Sequence, residues 1–193
     1  MFNPFQRKPA ATPEGLFVRH HENGVKQEEG RFVDGRRHGL WSRWHDNGQP
    51  EEDCTYVEGH LHGPVTRYYP TGSVRAEFEL CWGVLNGPFA RFHPNGRLAE
   101  EGEWIDGNPH RAYCRWWPNG QRRLEGAFHH GHPVGDWWAW HPDGALLYHG
   151  EWFADLEEGL HGEVKAALRP ADAELEITTL DRMGWQGDYT NVA

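Results

Sequence analysis

The stretch GPFARFHPNGRLAEEGEWIDGNPH, Gly87 to His110, holds the signs of a hairpin and of its repetition. Pro94-Asn95-Gly96 sits near its centre: proline pre-sets φ for the first corner of a turn, asparagine suits the next, and glycine takes the left-handed position. The residues to either side alternate as strands do. Gly107 then marks a second turn.

Outward from this stretch the pattern recurs every 24 residues, at Gly24, Gly48, Gly72, Gly96, Gly120 and Gly144. Asn, Asp or Thr precedes each of these glycines, and Pro70, Pro94, Pro118 and Pro142 stand one residue earlier in the last four units. A second series runs through Gly35, Gly59, Gly83, Gly107 and Gly131, and a third through Gly15, Gly39, Gly63, Gly87, Gly135 and Gly159, broken at Arg111. A fixed period of this length is the mark of a repeat architecture. Each unit reads as strand, turn, strand, turn, and six units fill residues 15–158. Residues 1–14 read as an N-terminal tail. Residues 159–193 read as a C-terminal cap or a partner-binding tail.

Ring residues form two columns, His20, Trp44, Tyr68, Phe92, Trp116, Trp140 and Phe32, Tyr56, Leu80, Trp104, Phe128, Trp152. With a three-residue Pro-Asn-Gly loop both columns fall on one face, because side chains alternate with period two. That face is the expected core. On the opposite face the same register sets Arg19, Arg43, Arg67, Arg91 and Arg115 diagonal to Glu29, Asp53, Glu77, Glu101 and Glu125, with Phe17, Trp41, Phe89, Tyr113 and Trp137 beside them. The expectation is a salt-bridge stripe that can double as a recognition face.

The units GLWSRWHDNGQPEEDCTYVEGHLH and GPFARFHPNGRLAEEGEWIDGNPH resemble the MORN-repeat superfamily, and more closely the bacterial MORN-variant repeats of toxin–antitoxin antitoxins. The resemblance covers residues 15–158. It implies an all-β fold: an elongated single-layer antiparallel sheet, a solenoid of about six hairpin units that depends on neighbour contacts and a C-terminal cap. Departures at Arg111, Leu80 and Ala139 are candidates for bends in that sheet.

Composition limits the function. Leu, Ile, Val and Phe supply only 35 of 193 residues, so eleven tryptophans and six tyrosines must carry much of the apolar burial. The net charge of -10 disfavours nucleic acid and anionic membranes, both of which need Lys and Arg, and favours a basic protein partner. Cys54, Cys81 and Cys114 match neither a disulfide framework nor a metal motif. With no apolar segment of signal or membrane-spanning length, the expected location is cytoplasmic.

Catalytic and metal chemistry find no constellation. The histidines fall mostly in repeat columns, His38, His62 and His110 before the unit boundary and His45, His93 and His141 before the tip, without zinc-site spacing. No Gly-x-Ser-x-Gly or phosphate loop occurs, and adjacent carboxylates such as Glu100-Glu101 point to opposite faces of a strand. No enzyme, metal or cofactor is expected.

What exceeds the needs of the repeat is tryptophan in the last two units. Neighbours on a strand face opposite ways, so Trp116-Trp117 and Trp137-Trp138 cannot all be buried by one layer. Either the C-terminal segment covers the surplus or a partner does, since such rings anchor interfaces. The candidate partner-binding residues are Trp116, Trp117, Trp137, Trp138, Trp140, His141, Arg91 and Arg115. The expected function is a non-catalytic binding module, antitoxin- or immunity-like, that neutralises a basic toxin or effector by occlusion; the alternative is a scaffold or assembly subunit.

Overall fold

The computed structural model of the chain describes residues 14–151. Trp152, the C-terminal segment 159–193 and all of the N-terminal tail except Glu14 lie outside the described residues.

Six hairpins follow one another: β1 (Gly15–His20) with β2 (Lys26–Val33), β3 (Arg36–Trp44) with β4 (Pro50–Val57), and β5 (His60–Tyr68) with β6 (Val74–Cys81). Then come β7 (Val84–Phe92) with β8 (Leu98–Ile105), β9 (Asn108–Trp116) with β10 (Arg122–His129), and β11 (His132–Trp140) with β12 (Leu146–Glu151). All twelve pair antiparallel in sequence order, forming one open sheet. The architecture is the all-β repeat sheet expected from the 24-residue period.

The second glycine series closes the two-residue connections. Asp34-Gly35, Glu58-Gly59, Trp82-Gly83, Asp106-Gly107 and His130-Gly131 all have positive φ at both residues, the type I′ geometry that matches strand twist. The third series does not form turns. Gly39, Gly63, Gly87 and Gly135 lie inside strands, at left-handed φ, where each odd-numbered strand carries two extra residues against the preceding strand. Arg111 occupies the same bulge at φ 67, so its side chain is tolerated in a conformation the other units reserve for glycine. The sheet order runs through Arg111, Leu80 and Ala139 without interruption.

A second irregularity decides which residues become core. Next to each tip the register slips by one, leaving Gln27, Glu51, Arg75, Ala99, Arg123 and Leu147 without a partner across the hairpin. Trp41 therefore stands opposite Cys54, Arg43 opposite Glu52 and Gly39 opposite Tyr56. A one-residue slip moves a strand's whole side-chain set to the other face. The expected core face is corrected accordingly: Tyr56 packs with Trp41, not with Trp44.

The inner face is a row of rings, interrupted at Val65. Phe17, Phe32, Trp41 and Tyr56 touch in sequence with centroids 5.1 to 6.0 Å apart, and Phe78, Phe89, Trp104, Tyr113, Phe128 and Trp137 continue the row at 4.7 to 6.3 Å. Volumes alternate across strands. Gly30 lies under the Trp41 ring and Gly126 under Trp137, where an added Cβ would fall 2.1 and 2.2 Å from ring carbons. Where the incoming side chain is smaller, as at Val65, the facing residue is Cys54 rather than glycine. A bulge bends the strand that carries it, and the Arg37 guanidinium lies 4.0 Å from the Trp41 ring centroid as a lid. Leu61, Leu85, Pro109 and Pro133 hold the corresponding positions in later units.

Candidate functional site

Because of the slip, the arginines and the carboxylates expected to pair with them stand on opposite faces. On the inner face Arg19 and Arg37 reach Glu28 at 3.1 and 2.8 Å, Arg67 reaches Glu52 at 2.7 Å, and Arg91 reaches Glu100 at 2.8 Å. These three glutamates are buried. Units three and five replace them with Ala76 and Leu124, also buried. Tyr113 donates its hydroxyl to Glu100, and burial, followed by that carboxylate, pushes the phenol well above its ordinary pKa. Burial and then Glu52 likewise push the Cys54 thiol up to about 12, which leaves it a poor nucleophile.

The carboxylates named from sequence, Glu29, Asp53, Glu77, Glu101 and Glu125, stand in one row on the outer face. The row crosses the strands and alternates with Ser42, Thr66, Ala90, Cys114 and Trp138. Its ends are compensated by Lys26 on Glu29 and Arg122 on Glu125. Asp53 accepts hydrogen bonds from Ser42 at 2.6 Å and from the Tyr68 hydroxyl at 3.1 Å. Glu77 and Glu101 are exposed and make no ion pair among the described residues.

Around Glu77 and Glu101 the outer face sinks into an open trough of about 670 Å³. Its floor is small, Pro64, Thr66, Pro88, Ala90 and Ala112, and its walls add Glu79 and Glu103. Arg111 binds Glu103 through two contacts of 2.8 and 2.9 Å, so four carboxylates face a single cation. The Tyr68 phenol at one side has its pKa raised by desolvation and then by Asp53, with Glu77 contributing. Sequence reading named Glu77 and Glu101 but gave them to arginines, and it missed Glu79, Glu103 and the prolines.

The tryptophan candidates divide between the faces and the tips. Trp137 is 1% exposed and Arg115 2% exposed, both in the inner core, which removes them from the accessible surface. Arg91 also points inward, to Glu100. Trp138, half-buried on the outer face, stacks on His149 at 4.8 Å and 12°. Trp116 and Trp140 are half-buried. Trp117 belongs to a tip column: its Nε1 donates to the Trp140 carbonyl at 2.9 Å, and Arg123 lies 4.4 Å over its ring. His21, His93 and Tyr69 make the same bond to the carbonyls of Trp44, Trp116 and Phe92 in the next unit. His141 closes the last tip through its backbone.

The turn asparagines tie the tips together as well. Asn23, Asn47, Asn95 and Asn119 each donate Nδ2 to a carbonyl of the following tip and accept through Oδ1 from the amide two residues on. At the opposite end, His62 and His110 accept through Nδ1 from the amides of Trp82 and His130. These bonds account for much of the histidine excess. Among the described residues no group of three or more His, Cys, Asp or Glu side chains is placed to hold a metal ion.

Comparison with known families agrees with this geometry. Residues 37–58 and 61–80, which lie within β3 to β6, match the MORN repeat variant. Over these two stretches the chain is similar to that repeat. The 24-residue period and the equivalent hydrogen bonds recur in the other hairpins. No curated protein matches the chain. MORN repeats serve as binding modules for proteins or membranes and are not enzymatic units.

Proposed function

We propose that this MORN-repeat chain is a non-catalytic module that binds a basic protein partner on the outer face of its sheet, in the manner of an antitoxin or immunity protein occluding a toxin or effector. The observation that carries the reading is the asymmetry of the faces. Inner carboxylates are neutralised by arginines, whereas the outer row and trough leave Glu77, Glu79 and Glu101 without a cation among the described residues. Complementary charge of this kind speeds encounter with a basic enzyme and selects against acidic partners. The chain's net charge of -10 acts in the same direction.

A scaffold or assembly role is supported by a different observation, the tip bonds that fix the spacing of successive units. Affinity purification from the source cell at low salt, with mass spectrometry, separates the two. A stoichiometric basic enzyme, released as salt shortens the Debye length below about 8 Å, supports the occlusion reading. Recovery within a large multi-subunit complex supports the scaffold. Absence of any stoichiometric protein overturns both.

A further inference from the structure

The outer row has a spacing as well as a charge. Glu77 and Glu101 lie two strands apart, on β6 and β8, so their backbone positions are separated by roughly 9.6 Å at about 4.8 Å per strand. Asp53 and Glu125 extend the row at the same interval in either direction. A polyproline II segment advances about 3.1 Å per residue with three residues per turn, so every third side chain projects from one side at about 9.3 Å. The two repeats coincide to within a few tenths of an ångström per step. An α-helix meets the interval only at every seventh residue, roughly 10.5 Å.

The surroundings of the row suit such a chain. Tyr68 is tied to it through Asp53, and its column neighbours Phe92 and Trp116 recur beside the row at the same interval. On the other side lies the floor of Pro64, Pro88 and Ala112, low enough to admit a backbone. A guanidinium lying there can meet a carboxylate in a charge-assisted pair and stack on a ring. Aromatic-lined grooves are a recurrent way of taking polyproline II segments, whose limited conformational freedom lowers the entropy lost on binding.

We infer that the trough is a docking site for an extended, polyproline II-like segment of a partner protein bearing arginine or lysine at every third residue, laid across β5 to β10 along the carboxylate row. The inference rests on the protein-binding reading above and gives that reading a ligand chemistry. Glu77 and Glu101 are its principal contacts, Glu79 lines one wall, and Arg111 holds Glu103 as another.

The test uses the full chain and two synthetic peptides of one composition, a Pro-Pro-Arg repeat of about four units, long enough at about 9.3 Å per unit to span the row, and a peptide with its arginines contiguous. The expected result, by fluorescence anisotropy at fixed salt, is that the spaced peptide binds at least about tenfold more tightly than the contiguous one. Glu77→Gln with Glu101→Gln should abolish that preference while leaving the thermal melt in place. Equal affinity for the two peptides would overturn the inference, and so would an unchanged preference in the double variant. Should the double variant fold poorly, the comparison of peptides on the unaltered chain decides alone. A co-purified protein whose binding survives Glu77→Gln/Glu101→Gln would overturn the trough while leaving the protein-binding reading standing. A spaced-peptide preference with no cellular protein partner would sustain the trough and remove that reading.

Discussion

Glu52 and Asp53 are neighbours on β4, yet they belong to different environments. Glu52 points inward, is buried, and meets Arg67 at 2.7 Å; Asp53 points outward among Ser42, Thr66 and Tyr68. The contrast recurs with Glu100 and Glu101, and in apolar form with Trp137, sealed against Gly126, and Trp138, stacked on His149 at the outer surface. A single layer can hold a core because its inner rings fill glycine hollows and, at Trp41, lie under the Arg37 guanidinium. The outer face has no such cover among the described residues, and it is the face proposed to bind.

This contrast can be broken most forcefully at the neighbouring tryptophans. Trp137→Ala is expected to cost about 3–5 kcal/mol, as for other fully buried large-to-small changes, while Trp138→Ala costs under about 1 kcal/mol. Chemical denaturation of both variants checks this, and similar losses would mean the faces are not distinct. Filling a hollow is next in size. Gly30→Ala places a Cβ within 2.1 Å of the Trp41 ring and should destabilise by about 1–3 kcal/mol, whereas Gly24→Ala, which meets no atom within 4 Å, suffers only from its φ of 84. The tip bonds are weaker still. Asn47→Ala loses the bond to the Pro70 carbonyl and the turn bond to Gln49 and should cost about 1 kcal/mol, read as faster amide exchange at that tip.

The smallest effect concerns pH. His110 accepts the His130 amide through Nδ1, and desolvation, then His130, His129 and Arg111, hold its pKa below the ordinary imidazole value of 6.5. A histidine with a lowered folded pKa binds fewer protons folded than unfolded, so its contribution is present above 6.5 and is lost as pH falls through the lower folded value. Exchange at the His130 amide should therefore quicken on acidification, and His110→Phe should remove that dependence.

How far the sequence could be read follows from which features have a chemical signature. The 24-residue period, the Asn-Gly tips and the Gly35 series are visible because left-handed backbone demands glycine or asparagine. The slip beside each tip is not visible. Its extra residue is Gln27, Glu51, Arg75, Ala99, Arg123 or Leu147, side chains with nothing in common, because an unpaired residue at a bulge imposes no chemistry. That one extra residue exchanges the faces of every second strand, gives the arginines other carboxylates than the sequence suggests, and hides the trough. Trp117 shows a related effect: its ring is in surplus for a strand but has a place in the tip column in which His21, Tyr69 and His93 reach the next unit.

The most direct test of the division between faces is a matched pair of neutralisations followed by thermal melting. Glu52→Gln with Glu100→Gln removes inner charges that hold Arg67 and Arg91, and should lower Tm by several degrees, about 2–4 °C for each kcal/mol lost in a protein of this size. Glu77→Gln with Glu101→Gln removes outer charges that hold nothing within the described chain, and should leave Tm unchanged or slightly raised. Equal losses of Tm in the two double variants would contradict the account.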